Sequence, residues 1–412
     1  MNVRRSAAVL AAIAVTGVAS PAVAADPSPS ASPSVALPSG LYGSTDPQYD
    51  GVWRQSLALL AQKTVGVKPA AEAVDWLAGQ QCASGAFAPF RADTAKACDA
   101  KLLVDSNSTA AAVQALAALG GHEAETGKAV GWLKSVQNKD GGWGYAPGGP
   151  SDTNSTSAVI GALTATGEKP ADVVKDGKSP YDALLKLALP CDGDGAGAFA
   201  YQPDKKGKLA ANEDATAAGV VGALGKGLTG ASVKPTDAPV TCKDAAGPEQ
   251  AANNGAAHLV QALAKDAHLT SALPGSEDQP DYGNTADAVL ALATAGHGDK
   301  AADAMRWLEA NFQKWARQGG PAAYAELILA AHAESFDVRA FGGQDLVKLL
   351  NATGPTPASV PAVSAATSDG AKSEESSPSD DGLNVWWVVG VGLVAGIGIG
   401  FLISGRNRRR QP

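Results

Sequence analysis

The sequence predicts an all-α fold, an (α/α)6 toroid of six inner and six outer helices, and three observations predict it. First, hydrophobic residues make up 45% of the 412-residue chain but aromatic residues only 5%, so the apolar content is mostly Ala, with Leu and Val behind it. Small side chains let helix axes approach closely, whereas a β-sandwich needs β-branched and aromatic residues at alternating positions. Second, a polar cap, an Ala-rich helix and a Gly stop recur along the chain. Third, these helices alternate with amphipathic ones built on Trp-Leu pairs, which describes a buried inner ring wrapped by a half-exposed outer ring.

Residues 1–25 read as a secretory signal: Arg4 and Arg5 lead an apolar run from Ala7 to Val18, followed by the small-residue site Ala22-Val23-Ala24. Residues 26–40 are a Pro/Ser/Ala-rich linker with too little apolar surface to fold. The toroid occupies 41–352. Its inner helices read as 51–64, 106–119, 153–166, 213–226, 284–295 and 321–333, and its outer helices as 69–80, 125–137, 180–189, 253–265, 301–314 and 341–351. The first element is inner and the last outer, so the two ends can meet and close the circle.

Four cysteines fall within this domain, and an even number in an exported chain reads as two disulfides. Of the three pairings, Cys82–Cys98 with Cys191–Cys242 is chosen, because each bridge then brackets one loop-rich insertion. No Cys-x-x-Cys occurs and the five histidines are scattered, so no metal and no cofactor is expected.

Residues 353–384 read as a disordered stalk rich in Pro, Ser, Ala and acidic groups. Residues 385–404 read as a transmembrane helix: Val385 to Ile403 carries no charge, Trp386 and Trp387 stand at its start, and the basic tail 405–412 follows. The arrangement is a single-pass type I membrane protein with the bulk of the chain outside the cell. Gly392, Gly396 and Gly400 share one face of that span, which leaves a dimer and a monomeric anchor both open. The chain carries a formal charge of −8; without the six arginines of its two ends it holds 27 basic against 41 acidic residues, or −14, which disfavours nucleic acid as a partner.

One stretch names a resemblance. Lys128-Ala-Val-Gly-Trp132-Leu133-Lys-Ser-Val-Gln137-Asn-Lys-Asp-Gly-Gly142-Trp143 closely resembles the Gln–Trp repeat of squalene and oxidosqualene cyclases. A looser copy runs from Trp76-Leu77 through Gln81 to Gly85-Ala-Phe87, and a degenerate one from Leu184-Leu185 to Gly197-Ala-Phe199 lacks the Gln. The resemblance covers roughly 69–333 and implies the α/α toroid of terpenoid cyclases, prenyltransferase β-subunits, thioester domains and cobalamin carriers. It also implies that the Gln and the aromatic tie neighbouring repeats and take no part in catalysis.

The candidate site is the rim at the inner-helix starts, where Asp105, Asn107, Asp152, Asn154, Glu213, Asp214, Asn284 and Asp287 gather with Trp143, Tyr145, Phe199, Tyr201 and Tyr282. Polar groups with aromatics suit a small-molecule pocket, while Asp, Asn and Ser at helix starts also serve as caps. The chain lacks the Asp-x-Asp-Asp acid of class II terpene cyclases, a zinc set and a thioester motif. The expected function is therefore a non-catalytic extracellular binding protein for a bulky small molecule or glycan, after the manner of the cobalamin carriers. A diverged terpene cyclase or glycan-active (α/α)6 enzyme, and a surface scaffold or adhesion module, stay open as alternatives.

Overall fold

Four inner helices begin where a polar side chain caps an Ala-rich run. In the computed structural model, which describes residues 37–236, 239–271 and 278–361, these are α3 (Ser106–Leu119), α5 (Thr153–Ala165), α7 (Glu213–Ala223) and α9 (Tyr282–Thr294), and α1 (Gly51–Thr64) precedes them without a side-chain cap. The amphipathic segments give α2 (Ala71–Gly79), α4 (Glu123–Ser135), α6 (Pro180–Leu187) and α8 (Pro248–Leu263). The expected fifth outer and sixth inner helices run together as α10 (Ala302–Ala333), broken at Gly320 (φ 62°) just before Pro321. That non-helical glycine turns one helix into an outer and an inner half. Counting the halves separately, the described residues hold six helices of each class.

The inner helices pack in the order α1, α3, α5, α7, α9 and the second half of α10, which returns to α1. This closes the ring as the alternation of helix classes requires. Burial follows suit: α3 and α5 are buried along most of their length, whereas α2 buries only Ala73 and Leu77. Small residues permit the close approach. A Cβ at Gly222 of α7 would lie 2.4 Å from Ser157 Oγ of α5.

The joints between repeats depend on a threonine. Thr109, Thr156, Thr216 and Thr285 each sit four residues after a helix N-cap, and each hydroxyl accepts a bond from the backbone N–H of Phe87, Trp143, Phe199 or Leu269, at 2.9, 3.1, 2.9 and 3.0 Å. The same hydroxyls of Thr109 and Thr216 donate to the N-cap carbonyls of Asp105 and Asn212 at 2.7 and 2.6 Å. The incoming loop is thereby pinned to the first turn of the next inner helix. Gln81 Nε2 donates to the carbonyls of Gly85 and Glu125, and Gln137 Nε2 to those of Gly141 and Val173, so each Gln joins its own loop to the following repeat. Gly141 (φ 92°) lies so close to the next outer helix that a Cβ would meet Ser179 O at 2.1 Å.

The third repeat lacks the Gln, and a disulfide lies at its joint. Both expected bridges form, Cys82–Cys98 and Cys191–Cys242. The second ties the Phe199 loop to the segment before α8, where Asn254 Nδ2 also holds Lys243 O at 2.6 Å.

The loop after α7 ties inner helices together. After α7 the chain crosses the inner helices: Gln114 Nε2 of α3 donates to Ala158 O of α5, while its Oε1 accepts from Leu228 N at 2.7 Å. Further along, Ala231 N donates to Thr294 Oγ1 of α9 at 3.0 Å. One loop thus bonds to α3 and α9, and its Gly227 lies against Gly161 of α5.

Several boundaries differ from expectation. The last outer helix is only α11 (Leu346–Asn351), because residues 341–344 form a turn closed by a Phe341–Gln344 bridge and Asp345 is the N-cap. A short antiparallel pair, β1 (Leu269–Ser271) with β2 (Gln279–Asp281), precedes α9 and was not expected. Residues 353–359, expected in the stalk, are held by the ring: Thr353 O accepts from Gly43 N, Gly354 packs on the Tyr42 ring, and Ser359 bridges to Lys68. At the other end the compact unit begins at Pro38. The signal, most of the linker, the rest of the stalk, the span with Gly392, Gly396 and Gly400, and the basic tail lie outside the described residues. Among the described residues no helix is long and apolar enough to cross a membrane.

Thr156→Val removes the hydroxyl and leaves the buried Trp143 N–H without its partner. We expect a loss of about 1–3 kcal/mol in denaturant unfolding, with Thr156→Ser recovering most of it.

Candidate functional site

The N-terminal ends of the inner helices form one rim, and the capping chemistry sorts the residues on it. Asp105 Oδ1 accepts from Ser108 N and Asp152 Oδ1 from Ser155 N, both at 2.6 Å. Asn212 caps α7 through Ala215 N at 2.7 Å, and Asp281 caps α9 through Asn284 N at 3.1 Å. Four residues separate each cap from its threonine, and two residues past the caps stand Asn107, Asn154, Asp214 and Gly283.

Asn107, 2% exposed, has neither amide atom partnered, and Asp105 Oδ2 and Ser106 Oγ beside it are also unpartnered. Asn154 Nδ2 donates to Asp214 Oδ2 at 2.9 Å while its own Oδ1 stays unpartnered. Tyr145 and Tyr201 lie among these carboxyls. Burial raises both phenols first; then the charge of Asp105 acts on Tyr145, and the charges of Asp152 and Asp214 act on Tyr201.

Burial also dominates the acids. It pushes Asp105 up to about 7 and Asp152 to about 6, in each case against the hydrogen bonds that favour the ion. Asp214 reaches about 8, because burial is reinforced by the charge of Asp287 and relieved in part by Asn154. Asp287 and Glu326 are raised by burial and by neighbouring carboxyls, Glu326 by Asp287, Asp281 and Asp214. Glu326 stands on α10 and Asp214 on α7, which are not neighbours in the ring, so these groups meet across its interior. Each keeps some solvent access, as side chains lining a lumen do.

Aromatic rings continue this wall. Tyr282 stacks on Trp315 with centroids 5.5 Å apart and lies 4.8 Å from Trp307, which in turn lies 4.3 Å from His268.

Of the expected residues, the structure places Asp105, Asn107, Asp152, Asn154, Tyr145, Tyr201, Asp214, Tyr282, Asn284 and Asp287 at the helix starts or just inside them. Asn284 is engaged by Asp281 at 2.8 Å. Glu213 turns to His258 of α8, 3.6 Å away. Trp143 and Phe199 are not available to a ligand: both are fully buried, and the Trp143 indole N–H donates to Leu133 O at 2.7 Å. Sequence reasoning missed Asn212, Asp281, Trp315 and Glu326. Counting four residues back from each repeated threonine would have found the two caps. Among the described residues no group of three or more His, Cys, Asp or Glu is placed to hold a metal ion.

No family model matches the chain. Among curated proteins it is similar to a drimenyl diphosphate synthase of Streptantibioticus cattleyicolor, 35% identical over 80 residues, which are 19% of this chain and only 13% of that protein. Among solved structures it is similar to the ent-copalyl diphosphate synthase of Streptomyces platensis, with a TM-score of 0.47 and 16% identity over 69% of this chain and 50% of that one. It is also similar to the apo type II terpene cyclase MstE of Scytonema, with a TM-score of 0.44 and 15% identity over 69% and 74% of the two chains.

The raised acids make stability depend on pH in a definite direction. A carboxyl at about 8 in the fold and near 4 in the unfolded chain binds its proton more tightly when folded. Its contribution is therefore complete below about pH 4 and is lost as pH rises through 8. We expect the melting temperature to fall from pH 5 to 8.5, and Asp214→Asn to flatten that fall and exceed the wild type by about 2–4 °C at the alkaline end.

Proposed function

We propose that the chain is an extracellular, membrane-anchored toroid that binds a bulky small molecule at the N-terminal mouth of its ring. The observation that carries this reading is the set of buried, unpartnered polar atoms at that mouth: both amide atoms of Asn107, Asn154 Oδ1, Asp105 Oδ2 and Ser106 Oγ. A buried polar group without a partner costs about 1–3 kcal/mol, so five such atoms in one place call for a ligand or ordered water to satisfy them. The flanking Tyr145 and Tyr201 add apolar surface with a polar tip. Export and anchoring rest on the signal at 1–25, the span at 385–404 and the two disulfides, which fit an oxidising compartment. Pairing of spans through Gly392, Gly396 and Gly400 would set two toroids side by side.

A second reading has its own support. Asp214, Asp287 and Glu326 are carboxyls held neutral inside an aromatic-walled lumen, which is what a general acid acting on an apolar substrate requires. The 80-residue similarity to a drimenyl diphosphate synthase points the same way.

The test is a panel run on the full-length chain in detergent. Cobalamin and other bulky polar ligands are scored by thermal shift, and squalene and cell-wall glycans by product formation. Binding by a member of the panel, weakened at least tenfold in Asn107→Leu and Asn154→Leu, supports the binding reading. Product from squalene or glycan that is lost in Glu326→Gln and Asp287→Asn overturns it in favour of catalysis. A flat panel with no product overturns both and leaves a scaffold.

A further inference from the structure

The lumen has two unlike sides. On the α3 and α5 side the groups two residues past the caps are amides, Asn107 and Asn154. On the α7, α9 and α10 side the polar groups are acids: Asp214, Asp287 and, opposite them, Glu326. Asp287 stands six residues past the cap of α9, and Glu326 six past the Gly320 break, so the two acids lie at matching positions on adjacent helices. None of the three forms an ion pair among the described residues, and no basic group contributes to the field on any of them. An amide from the other side reaches over: Asn154, 4% exposed, with one arm on Asp214 and its oxygen unpartnered.

Gly283 stands beside the acids. It occupies the place that Asn107, Asn154 and Asp214 hold on the other helices, and a Cβ there would have Glu326 Oε2 at 3.5 Å, Trp315 Cζ2 at 3.7 Å and Asp281 Oδ1 at 4.0 Å. Two carboxyls and an indole therefore converge on a point where the backbone carries no side chain. The stacked Tyr282–Trp315 pair supplies the aromatic wall of that space. A metal ion does not suit it, because among the described residues the acids are not grouped closely enough for coordination. A larger cation does: the faces of Tyr and Trp attract a diffuse positive charge, and separated carboxylates neutralise it without a short coordination shell.

We propose that the space bounded by Asp214, Asp287 and Glu326, beside Gly283 and walled by Tyr282 and Trp315, is a binding site for an organic cation, a quaternary or protonated amine. The proposal rests on the reading of the lumen as a binding site and names the chemistry of its ligand. With no ligand bound, burial raises all three acids, and Asp152 from α5, Asp281 from α9 and the acids themselves, facing one another, raise them further, so each keeps its proton to a higher pH than an exposed carboxyl. Of the bases on the packed elements, His258 of α8 is turned to Glu213, and His268 lies against Trp307, 4.3 Å away, on the far side of that ring's contact with Tyr282. An incoming cation takes the place of a proton: one carboxyl ionises, its proton leaves to solvent, and the net charge of the site changes little. Affinity must therefore rise with pH until that carboxyl is already ionised in the free protein.

Choline and its uncharged carbon analogue 3,3-dimethylbutan-1-ol are the probes, titrated into the full-length chain in detergent and followed by tryptophan fluorescence and calorimetry. We expect choline to bind and the alcohol to bind at least tenfold more weakly. Choline affinity should gain about tenfold per pH unit between pH 6 and 7.5, with proton release seen as a heat that depends on the buffer. Glu326→Gln and Gly283→Leu should each cost at least tenfold, with circular dichroism and melting temperature confirming that both variants fold. Equal binding of the two probes, affinity that ignores pH, or no choline binding up to about 10 mM overturns the cation site. If cobalamin or another bulky ligand still binds in the panel above, the general binding reading survives that failure, whereas a flat panel with choline bound would confine the ligand class to small amines.

Discussion

A threonine hydroxyl at the fifth position from the N-cap governs how far apart the inner helices stand. It accepts a bond from the loop that arrives and, in α3 and α7, donates one to the carbonyl that begins the helix, so loop and helix cannot slide past each other. The loop then reaches back: Ser106 N meets Tyr145 O at 2.8 Å and Thr153 N meets Tyr201 O at 3.2 Å, which couples each inner helix to the one before it. With helices of Ala and Gly there is little side-chain volume to set spacing by interdigitation, so directional bonds take over that task. The rim owes its geometry to the same clamp, because Tyr145 and Tyr201 lie only two residues beyond the pinned Trp143 and Phe199.

The outer joints show how one constraint is met by different chemistry. In the first two repeats Gln81 and Gln137 bond two carbonyls each, one in their own loop and one in the next repeat. In the third, Leu189 N pairs with Ala198 O within the loop and the Cys191–Cys242 bridge reaches forward. A covalent link stands where an amide stood, which is open to a chain that folds in an oxidising compartment. The Cys82–Cys98 bridge differs in that its repeat already has a Gln; it closes a loop of 16 residues whose Arg91 donates to four carbonyls.

Periodicity made the ring legible. The repeated cap, Ala run and Gly stop marked α3 to the residue, and the bracketing argument for the cysteines selected the pairing that forms. What escaped were residues whose role depends on helices that are not sequence neighbours. Glu326 sits in Ala-Glu-Leu-Ile-Leu, where an acid on an apolar helix reads as a surface group; only closure of the ring turns it inward against Asp214. Trp315 lies on the outer half of α10 and joins the lumen wall beside Gly283. Trp143 was misplaced for the opposite reason: an aromatic next to a helix start can point to the joint instead of the mouth, and its indole N–H is spent on Leu133 O. Asp281 and Asn212 were hidden because polar residues follow them, and only their distance to the threonine separates cap from follower.

The loop after α7, held by Gln114 and Thr294, does more than connect α7 to α8. Its two anchors stand on α3 and α9, which are not neighbours in the ring. A segment belonging to neither helix class therefore acts as a chord, holding to each other two helices that the sequence of inner contacts leaves apart.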